Sequence, residues 1–482
     1  MIKPKIILNI LGKLLMGESF FLFIALFVAL FYHESDSIAF LEAGTITFLV
    51  GGLSYYFSKG AQNNLGKREG YIIVSLVWVV FSVFGCLPYL LSDAIPNVAD
   101  AFFETMSGFT TTGSSILNDI ESLSHGILFW RSLTQWMGGM GIIVMFLAIL
   151  PTLGIGGREL FIAEVPGPTP DKLTPRIKET ARNLWGLYIL FTGLETLLLF
   201  AGGMSFFDAV NHSFTTMATG GYSTKQASVG FFTSPYLQYV IIFFMFIAGT
   251  NFTLSYAFVT GKMTKIFKDE EFRFYCLVIL GFSLIISLGL FASIDSEYEH
   301  AFRDALFTVV SIITTTGYVT ADYLLWAPFL GMLVFTLFFV GGSAGSTGGG
   351  IKVVRVLLLF KNSLYELKRL IHPNAIIPVR YNKHVVDQKI VTNILAFFVF
   401  YVILFLISSI LMSLWSDDIY SAFSVVATTM GNIGPGFGKV GPMENFHHLP
   451  GLAKWFLSFL MMIGRLELFT VLVLFSPSFW KH

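Results

Sequence analysis

The sequence predicts an all-α polytopic membrane protein in which four pseudo-symmetric repeats surround one central pore, preceded by two extra N-terminal transmembrane helices. Three observations lead to this fold class. Hydrophobic residues make up 55% of the 482 residues, and charged residues make up only 12%. Apolar runs long enough to cross a bilayer recur along the chain. Between these runs lie four shorter segments that share one sequence pattern, which indicates an internal repeat.

Ten long apolar segments are predicted to form membrane helices. They cover residues 10–32, 38–58, 70–92, 128–152, 183–203, 233–260, 273–293, 326–360, 390–414 and 452–476. The first follows a basic start with Lys3, Lys5 and Lys13, as in a signal peptide. No small-residue cleavage pattern follows it, so we interpret it as a retained membrane helix.

Four shorter apolar stretches, near 98–109, 205–217, 301–313 and 418–430, are too short to span a bilayer, because a spanning helix needs about 20 residues. We predict short helices that enter the membrane and return. They align as "DAFFETMSGFTTTG" (100–113), "DAVNHSFTTMATGG" (208–221), "DALFTVVSIITTTG" (304–317) and "SAFSVVATTMGNIG" (421–434). Asp100, Asp208 and Asp304 are expected to cap the starts of these helices.

The repeat is about 100 residues long and consists of a helix, a pore helix, a filter loop and a second helix. It divides the chain into five predicted parts. Residues 1–69 form an N-terminal two-helix domain, and residues 70–165, 166–268, 269–385 and 386–482 form pore repeats 1 to 4. In repeat 3 the second helix is predicted to be broken by an intramembrane loop.

The distribution of basic residues predicts the orientation in the membrane. Most of the 30 Lys and Arg lie in 1–13, 59–68, 158–182, 262–273, 361–389 and the C-terminal tail. Basic loops face the cytoplasm, so we expect both termini to be cytoplasmic and the short helices to enter from outside. The expected surroundings are a lipid bilayer, and no nucleic acid is expected as a partner.

The loops after the four short helices are predicted to form a selectivity filter. They comprise Thr110, Thr111, Thr112 and Gly113; Ala218, Thr219, Gly220 and Gly221; Thr314, Thr315, Thr316 and Gly317; and Gly431, Asn432, Ile433 and Gly434. Glycine permits the positive φ that turns backbone carbonyls inward, where they replace the water around a cation. These loops carry no carboxylate, so the pattern favours potassium bound at backbone carbonyls, as substrate, without a covalently bound cofactor. Because the loops differ, some leak of rubidium and sodium is expected. Ordinary glycine turns at helix ends are the alternative.

The stretch "GGSAGSTGGG" interrupts the second helix of repeat 3. It consists of Gly341, Gly342, Ser343, Ala344, Gly345, Ser346, Thr347, Gly348, Gly349 and Gly350. Irregular backbone at membrane depth persists only where protein buries it or where it lines water. We interpret the stretch as a mobile loop that crosses the pore beneath the filter and acts as a gate. A static kink that lets neighbouring helices pack closely is the alternative.

Polar residues inside the spans provide further candidates. Arg465, in the last span, must face the protein interior or the pore, because an unpaired Arg in hydrocarbon is costly. We expect Arg465 to hold the closed gate through loop carbonyl oxygens; a structural ion pair with Glu467 or Glu195 is the alternative. Lys352 acts similarly or reaches the cytoplasmic surface. For Asn251, a bond to the loop, a place in the cavity wall and a plain interhelical hydrogen bond all remain open.

Several stretches resemble the TrkH family, the membrane subunits of the bacterial Trk potassium uptake system, within the superfamily of potassium transporters. They are "FETMSGFTTTGSS", "QWMGGMGIIV", "GGSAGSTGGGIKVVR", "LKRLIHPNA", "NIGPGFG" and "GRLELFTVLVLFSP". The resemblance implies potassium uptake across the bacterial inner membrane by a channel-like subunit that is not an enzyme. It also implies a homodimer bound to a cytoplasmic nucleotide-binding regulatory ring (TrkA-like). Relatives with serine in the first filter loop favour sodium, so Gly113 implies potassium.

Two functional questions stay open at this stage. A proton- or sodium-coupled potassium symporter with alternating access is the alternative to a channel-like pore, although four parallel copies favour a fixed pore. The basic segments 158–182 and 361–389, with Lys368 and Arg369, are predicted to contact the regulatory partner. Obedience to the positive-inside rule alone would also explain these charges.

Overall fold

The computed structural model describes residues 2–60, 65–141, 177–293 and 297–481, and within these ranges the chain is mostly α-helical. The predicted all-α polytopic fold class is confirmed. The helices are α1 (Pro4–Phe31), α2 (Ser37–Phe57), α3 (Lys67–Gly85), α4 (Leu87–Leu91), α5 (Val98–Phe109), α6 (His125–Gly139), α7 (Ile177–Ala201), α8 (Phe206–Met217), α9 (Pro235–Ala248), α10 (Phe252–Val259), α11 (Met263–Lys268), α12 (Glu270–Ser293), α13 (Tyr298–Ile313), α14 (Pro328–Leu337), α15 (Val353–Ile371), α16 (Gln388–Met412), α17 (Ile419–Gly431), α18 (Gly451–Leu466), α19 (Leu468–Leu472) and α20 (Pro477–Trp480).

Six of the described helices are long and apolar enough to cross a membrane, or eight if each bent pair is counted as one span. Eight of the ten predicted spans correspond to these helices. The predicted span 326–360 is instead divided between α14 and α15, and residues 142–152 of the span 128–152 lie outside the described residues. The boundaries of the five predicted parts remain predictions.

The N-terminal helices α1 and α2 form a hairpin with very close backbone contact. A Cβ atom placed on Gly12 would lie 2.7 Å from the carbonyl oxygen of Gly51, so only glycine fits at this crossing. Small residues allow such close approach between membrane helices. The turn between α1 and α2 is tied to the start of α6, where the Glu34 carboxylate accepts bonds from the backbone N–H of His125 at 2.8 Å and Gly126 at 3.0 Å.

The four predicted short helices are α5, α8, α13 and α17. Their starts are capped by residues earlier than predicted: the side chains of Asn97, Ser205 and Asp418 accept backbone N–H bonds, and the residue before α13 makes no side-chain cap. The prediction that Asp100, Asp208 and Asp304 cap these helices was therefore wrong, because each helix begins before its Asp-Ala pair. Asp100 instead accepts a bond from the Lys454 ammonium at 2.6 Å.

Each second helix of a repeat ends early, at Gly139 in α6, Ala248 in α9, Leu337 in α14 and Leu466 in α18. The chain then bends by 110° between α9 and α10 and by 117° between α18 and α19. Glu467, at the second bend, has a φ of 54°. The interruption predicted for repeat 3 alone thus recurs in other repeats.

A small β-hairpin extends the segment between α15 and α16. Its strands are β1 (Arg380–Tyr381) and β2 (His384–Val385), antiparallel, with Arg380 opposite Val385. The hairpin is fixed to the start of α12, because Asn382 donates to Asp269 at 2.8 Å and accepts from the Glu270 N–H at 2.9 Å. This part of the segment 361–389 is therefore ordered by specific bonds. Residues 158–176 of the other basic segment lie outside the described residues.

Candidate functional site

The four loops that follow the short helices share one backbone conformation. We call them loop 1 (110–113), loop 2 (218–221), loop 3 (314–317) and loop 4 (431–434). The second residue of each loop is left-handed, with φ between 53° and 58°, and the fourth is a glycine with φ between 77° and 100°. In each loop the third N–H bonds back to the short helix, for example Thr112 to the carbonyl oxygen of Ser107 at 2.9 Å. The sequence differences between the loops therefore do not change their path.

The fourth-position glycines bring the loops into a closed ring. Each glycine faces the third carbonyl oxygen of the next loop in the order 1, 2, 3, 4. A Cβ atom placed on Gly113 would lie 2.2 Å from Gly220 O, on Gly221 1.9 Å from Thr316 O, on Gly317 1.8 Å from Ile433 O and on Gly434 2.9 Å from Thr112 O. Such distances exclude any side chain, and the last contact returns to loop 1. The loops therefore surround one axis.

All four fourth-position glycines also line one cavity of about 80 Å³ next to the ring. Its wall includes the backbone that follows the loops, with Ser114, Tyr222, Val319 and Pro435. A cation that entered this cavity would meet the ring of glycine backbones directly.

Most loop hydroxyls are engaged within the protein rather than free. The Thr110 and Thr112 hydroxyls bond to each other at 2.8 Å, and those of Thr314 and Thr316 do so at 2.7 Å. In loop 4 the Asn432 amide donates to the Thr112 hydroxyl at 2.9 Å. Backbone carbonyls are thus the main oxygen atoms of these loops that the hydroxyl bonds leave available, and the carbonyl-type filter stays a prediction.

A buried ion pair behind loops 1 and 2 was missed by the sequence reasoning. Arg131 Nε lies 2.8 Å from Glu104 Oε1, and the two residues are 1% and 0% exposed. Glu104 also accepts from the Ile116 N–H, and Arg131 donates to the Ser223 carbonyl oxygen, so the pair joins the chain segments that follow loops 1 and 2. The one available signal was an acidic residue inside the apolar helix "DAFFETMSGF".

The segment 341–350 has no regular secondary structure, and none of its residues is among those that line the cavity. The Gly349 N–H donates to the Thr315 hydroxyl of loop 3 at 2.8 Å. The Thr347 hydroxyl donates at 3.1 Å to the carbonyl oxygen of Met217, the last residue of α8. A Cβ on Gly349 would lie 2.6 Å from Asn432 of loop 4. The segment therefore contacts the end of α8, loop 3 and loop 4.

Arg465 links this segment to the remaining loop. Its guanidinium donates to the Thr111 hydroxyl of loop 1 at 3.0 Å and to the Thr347 carbonyl oxygen of the segment. It also donates to the Gly138 and Gly139 carbonyl oxygens at 2.7 and 2.8 Å. The bond expected between Arg465 and a carbonyl oxygen of the segment 341–350 is present. The carboxylate of Glu467 pairs with Arg355.

Lys352 and Asn251 also contact the segment 341–350. The Lys352 ammonium, 4% exposed, donates to the Gly348 carbonyl oxygen, so it does not reach the surface. Asn251 caps α10 by accepting from the Thr253 N–H at 2.8 Å, next to the bond from the Phe252 N–H to the Gly345 carbonyl oxygen. Of the candidates from the sequence, the filter residues, the segment 341–350 and Arg465 thus lie together in one assembly.

Comparisons with known proteins identify the family. A family model described as "TrkH: Cation transport protein" matches residues 36–482. The chain is 42% identical over 481 residues to the Trk system potassium uptake protein TrkH of Escherichia coli (strain K12), covering 99% of each chain. It is also 42% identical to the TrkH of Halomonas elongata over 480 residues, again covering 99% of both.

The fold matches a solved structure of the same family. The crystal structure of the potassium transporter TrkH from Vibrio parahaemolyticus superposes with a TM-score of 0.89 at 38% identity, covering 100% of both chains. These matches confirm the resemblance found in the sequence, and they support a transporter rather than an enzyme. The chain belongs to the TrkH family of cation transport proteins.

Proposed function

We propose that this protein takes up potassium across the bacterial inner membrane as the channel-like, ion-translocating subunit of a Trk system. The relatives at 42% identity are named as Trk system potassium uptake proteins. In this proposal loops 1 to 4 form the selectivity filter, and potassium is the substrate at their backbone carbonyls. Both termini lie in the cytoplasm, where most of the basic residues gather.

The observation that carries the proposal is the closed ring of the four loops. Gly113 and Gly317, in opposite loops, each face a carbonyl oxygen of the next loop at a distance that leaves room only for hydrogen. A ring of fixed carbonyl oxygens can replace the hydration shell of a dehydrated cation. A single fixed ring favours a continuous pathway over alternating access.

The segment 341–350 and Arg465 form the gate in this proposal. The guanidinium holds the Thr347 carbonyl oxygen of the segment and the Thr111 hydroxyl of loop 1 at once. A fixed positive charge on the inner side of the filter repels a cation, so the arrangement corresponds to a closed pathway. Opening requires this contact to break, under the control of a cytoplasmic nucleotide-binding regulatory ring on a homodimer of this chain.

Substitution of a ring glycine tests the filter. We expect Gly113→Ser to lower the potassium-over-sodium permeability ratio, because its Cβ would displace the Gly220 carbonyl oxygen, 2.2 Å away. The reversal potential in mixed potassium and sodium measures this ratio. Gly203→Ser is the matched control, since Gly203 also has a positive φ, of 99°, but no atom within 4 Å of a Cβ. Unchanged reversal potentials in Gly113→Ser would contradict the filter.

A further inference from the structure

The four loops differ in how their third residue is held. In loops 1 and 3 the third residue is a threonine, Thr112 or Thr316, whose hydroxyl bonds to the first residue of the same loop. Loop 2 has Ala218 and Gly220 at these two positions, so it cannot form this bond. Its backbone nevertheless follows the same path, with φ values of 53° at the second residue and 77° at the fourth.

Gln135, from α6 of repeat 1, occupies the space that a side chain on Gly220 would take. A Cβ placed on Gly220 would lie 2.4 Å from both Cδ and Oε1 of Gln135. The Gln135 amide donates to the Gly220 carbonyl oxygen at 2.7 Å and accepts from the Tyr222 N–H at 3.1 Å. Gln135 is fully buried, and both ends of its amide are bonded. The amide therefore fixes the backbone on both sides of Gly221.

The Gly220 carbonyl oxygen is also the atom that Gly113 of loop 1 faces in the ring. A shift of this carbonyl would change loop 2 and its contact with loop 1 together. Buried side-chain hydrogen bonds to backbone hold such positions because an unpaired buried acceptor is costly.

We infer that Gln135 is a positioning residue for ion selectivity. Its hydrogen bonds fix the backbone of loop 2, as the Thr–Thr hydrogen bonds fix loops 1 and 3. This inference rests on the proposed filter function. It assigns no ion contact to Gln135. It also explains why loop 2 carries glycine at its third position: Gln135 and Gly220 are complementary, and each excludes a larger partner.

The test measures the potassium-over-sodium permeability ratio from reversal potentials in reconstituted protein. Gln135→Met keeps the volume and removes both hydrogen bonds. We expect the ratio to fall by roughly three- to tenfold, the factor that corresponds to one or two lost hydrogen bonds. Gln238→Met is the matched control, because Gln238 is a buried glutamine in α9 whose amide bonds to the Phe232 carbonyl oxygen, away from the loops.

A rescue variant separates positioning from general packing. Gln135→Ala combined with Ala218→Thr and Gly220→Thr would give loop 2 the Thr–Thr pair of loops 1 and 3, in the space vacated by Gln135. We expect this triple variant to recover most of the ratio lost in Gln135→Ala. A loss that the triple variant does not reverse would overturn the equivalence of Gln135 and the Thr–Thr bond.

The outcomes also distinguish this inference from the filter itself. A changed ratio in Gly113→Ser together with an unchanged ratio in Gln135→Met overturns the inference alone, whereas no change in either overturns the proposed filter. Should Gln135→Met fail to fold, Gly220→Ala displaces the same amide from the opposite side, and an unchanged ratio there overturns the inference. Failure of both variants to fold would show a structural role in its place.

Discussion

At the scale of single residues, several buried or partly buried charged side chains in the described structure bond to backbone groups. Glu104 and Arg131 hold the chain segments that follow loops 1 and 2, and Arg465 donates to the carbonyl oxygens of Gly138 and Gly139. Exposed charges behave differently: Lys439 donates to Asp417 at the surface and lowers the pKa of that carboxyl. Buried and exposed pairs are therefore expected to respond differently to substitution.

Removal of one partner of the buried pair should destabilise the protein strongly. Glu104→Gln or Arg131→Met leaves the other charge, at most 1% exposed, without its partner. Breaking such a pair lowers the free energy of unfolding by about 3–5 kcal/mol. The double variant Glu104→Leu, Arg131→Met should be destabilised less than either single variant, because it leaves no unpaired buried charge. Thermal unfolding in detergent measures these differences. Lys439→Met, at the exposed pair, should leave the unfolding temperature almost unchanged, and an equal loss in both pairs would argue against a special role for Glu104.

Arg465→Ala should raise potassium flux in the absence of the cytoplasmic partner. The substitution removes the bonds to the Thr347, Gly138 and Gly139 carbonyl oxygens and the positive charge under the ring. Arg465→Lys keeps the charge but loses the planar fork, so an intermediate flux is expected. Flux into vesicles loaded with the purified variants measures the effect. Arg182→Ala, at an exposed arginine of α7, is the control, and wild-type flux in Arg465→Ala would show that this arginine does not close the pathway.

At the scale of elements, the length of the apolar runs predicts the helices, and the repeated glycine pattern predicts the four loops. The bends after α9 and α18 were not predicted, because the apolar runs 233–260 and 452–476 continue through them without a proline or a glycine cluster. Their causes are tertiary: Asn251 caps α10 beside the Gly345 carbonyl oxygen, and Glu467 pairs with Arg355 across repeats. The hydrogen bond from Gln135 to the Gly220 carbonyl of loop 2 was likewise not predictable, since no sequence pattern relates residues 85 positions apart.

The segment 341–350 should respond to changes that disturb its ordered path. Gly345 has a φ of 73°, so Gly345→Ala strains the backbone by about 1 kcal/mol or more. We expect higher partner-free potassium flux in this variant and in a deletion of 345–350, with filter selectivity retained. Gly281→Ala in α12 is the control, because a Cβ there meets no atom within 4 Å. If both variants fold and show wild-type flux, the segment is a spacer or hinge.

At the scale of the whole molecule, the β-hairpin region is connected to the segment 341–350 by a short chain of bonds. The β-hairpin bonds to Asp269 and Glu270 at the start of α12 through Asn382. The next residue, Glu271, accepts from the Ala344 N–H of the segment at 2.7 Å. A partner that moved the hairpin would therefore act on the segment over few contacts, which strengthens the prediction that 361–389 binds the regulatory subunit.

Charge reversal on this surface should weaken partner binding. Lys368 and Lys383 are exposed, whereas Arg369 donates to the Ile377 carbonyl oxygen at 3.1 Å and supports the local fold. The double variant Lys368→Glu, Lys383→Glu therefore tests contact more cleanly than a change at Arg369. We expect a lower affinity in a pull-down or binding titration, with a steeper loss at high salt in the unmodified protein than in the variant. Lys439→Glu, at an exposed lysine outside the segment 361–389, is the control, and unaltered affinity in the double variant would leave these charges with an orientation role only.

Because a single chain supplies all four loops of the ring, a substitution can change one loop without changing the sequence of the other three. In a pore assembled from four identical subunits, any substitution occurs in all four subunits, so its effect on ion binding is repeated four times. Here a change at Gly220 or Ile433 acts on one loop and on its contact with one neighbouring loop, and not on all four loops at once. Each loop can consequently be held by different side chains, as Gln135 holds loop 2, and ion selectivity can change in small steps during evolution.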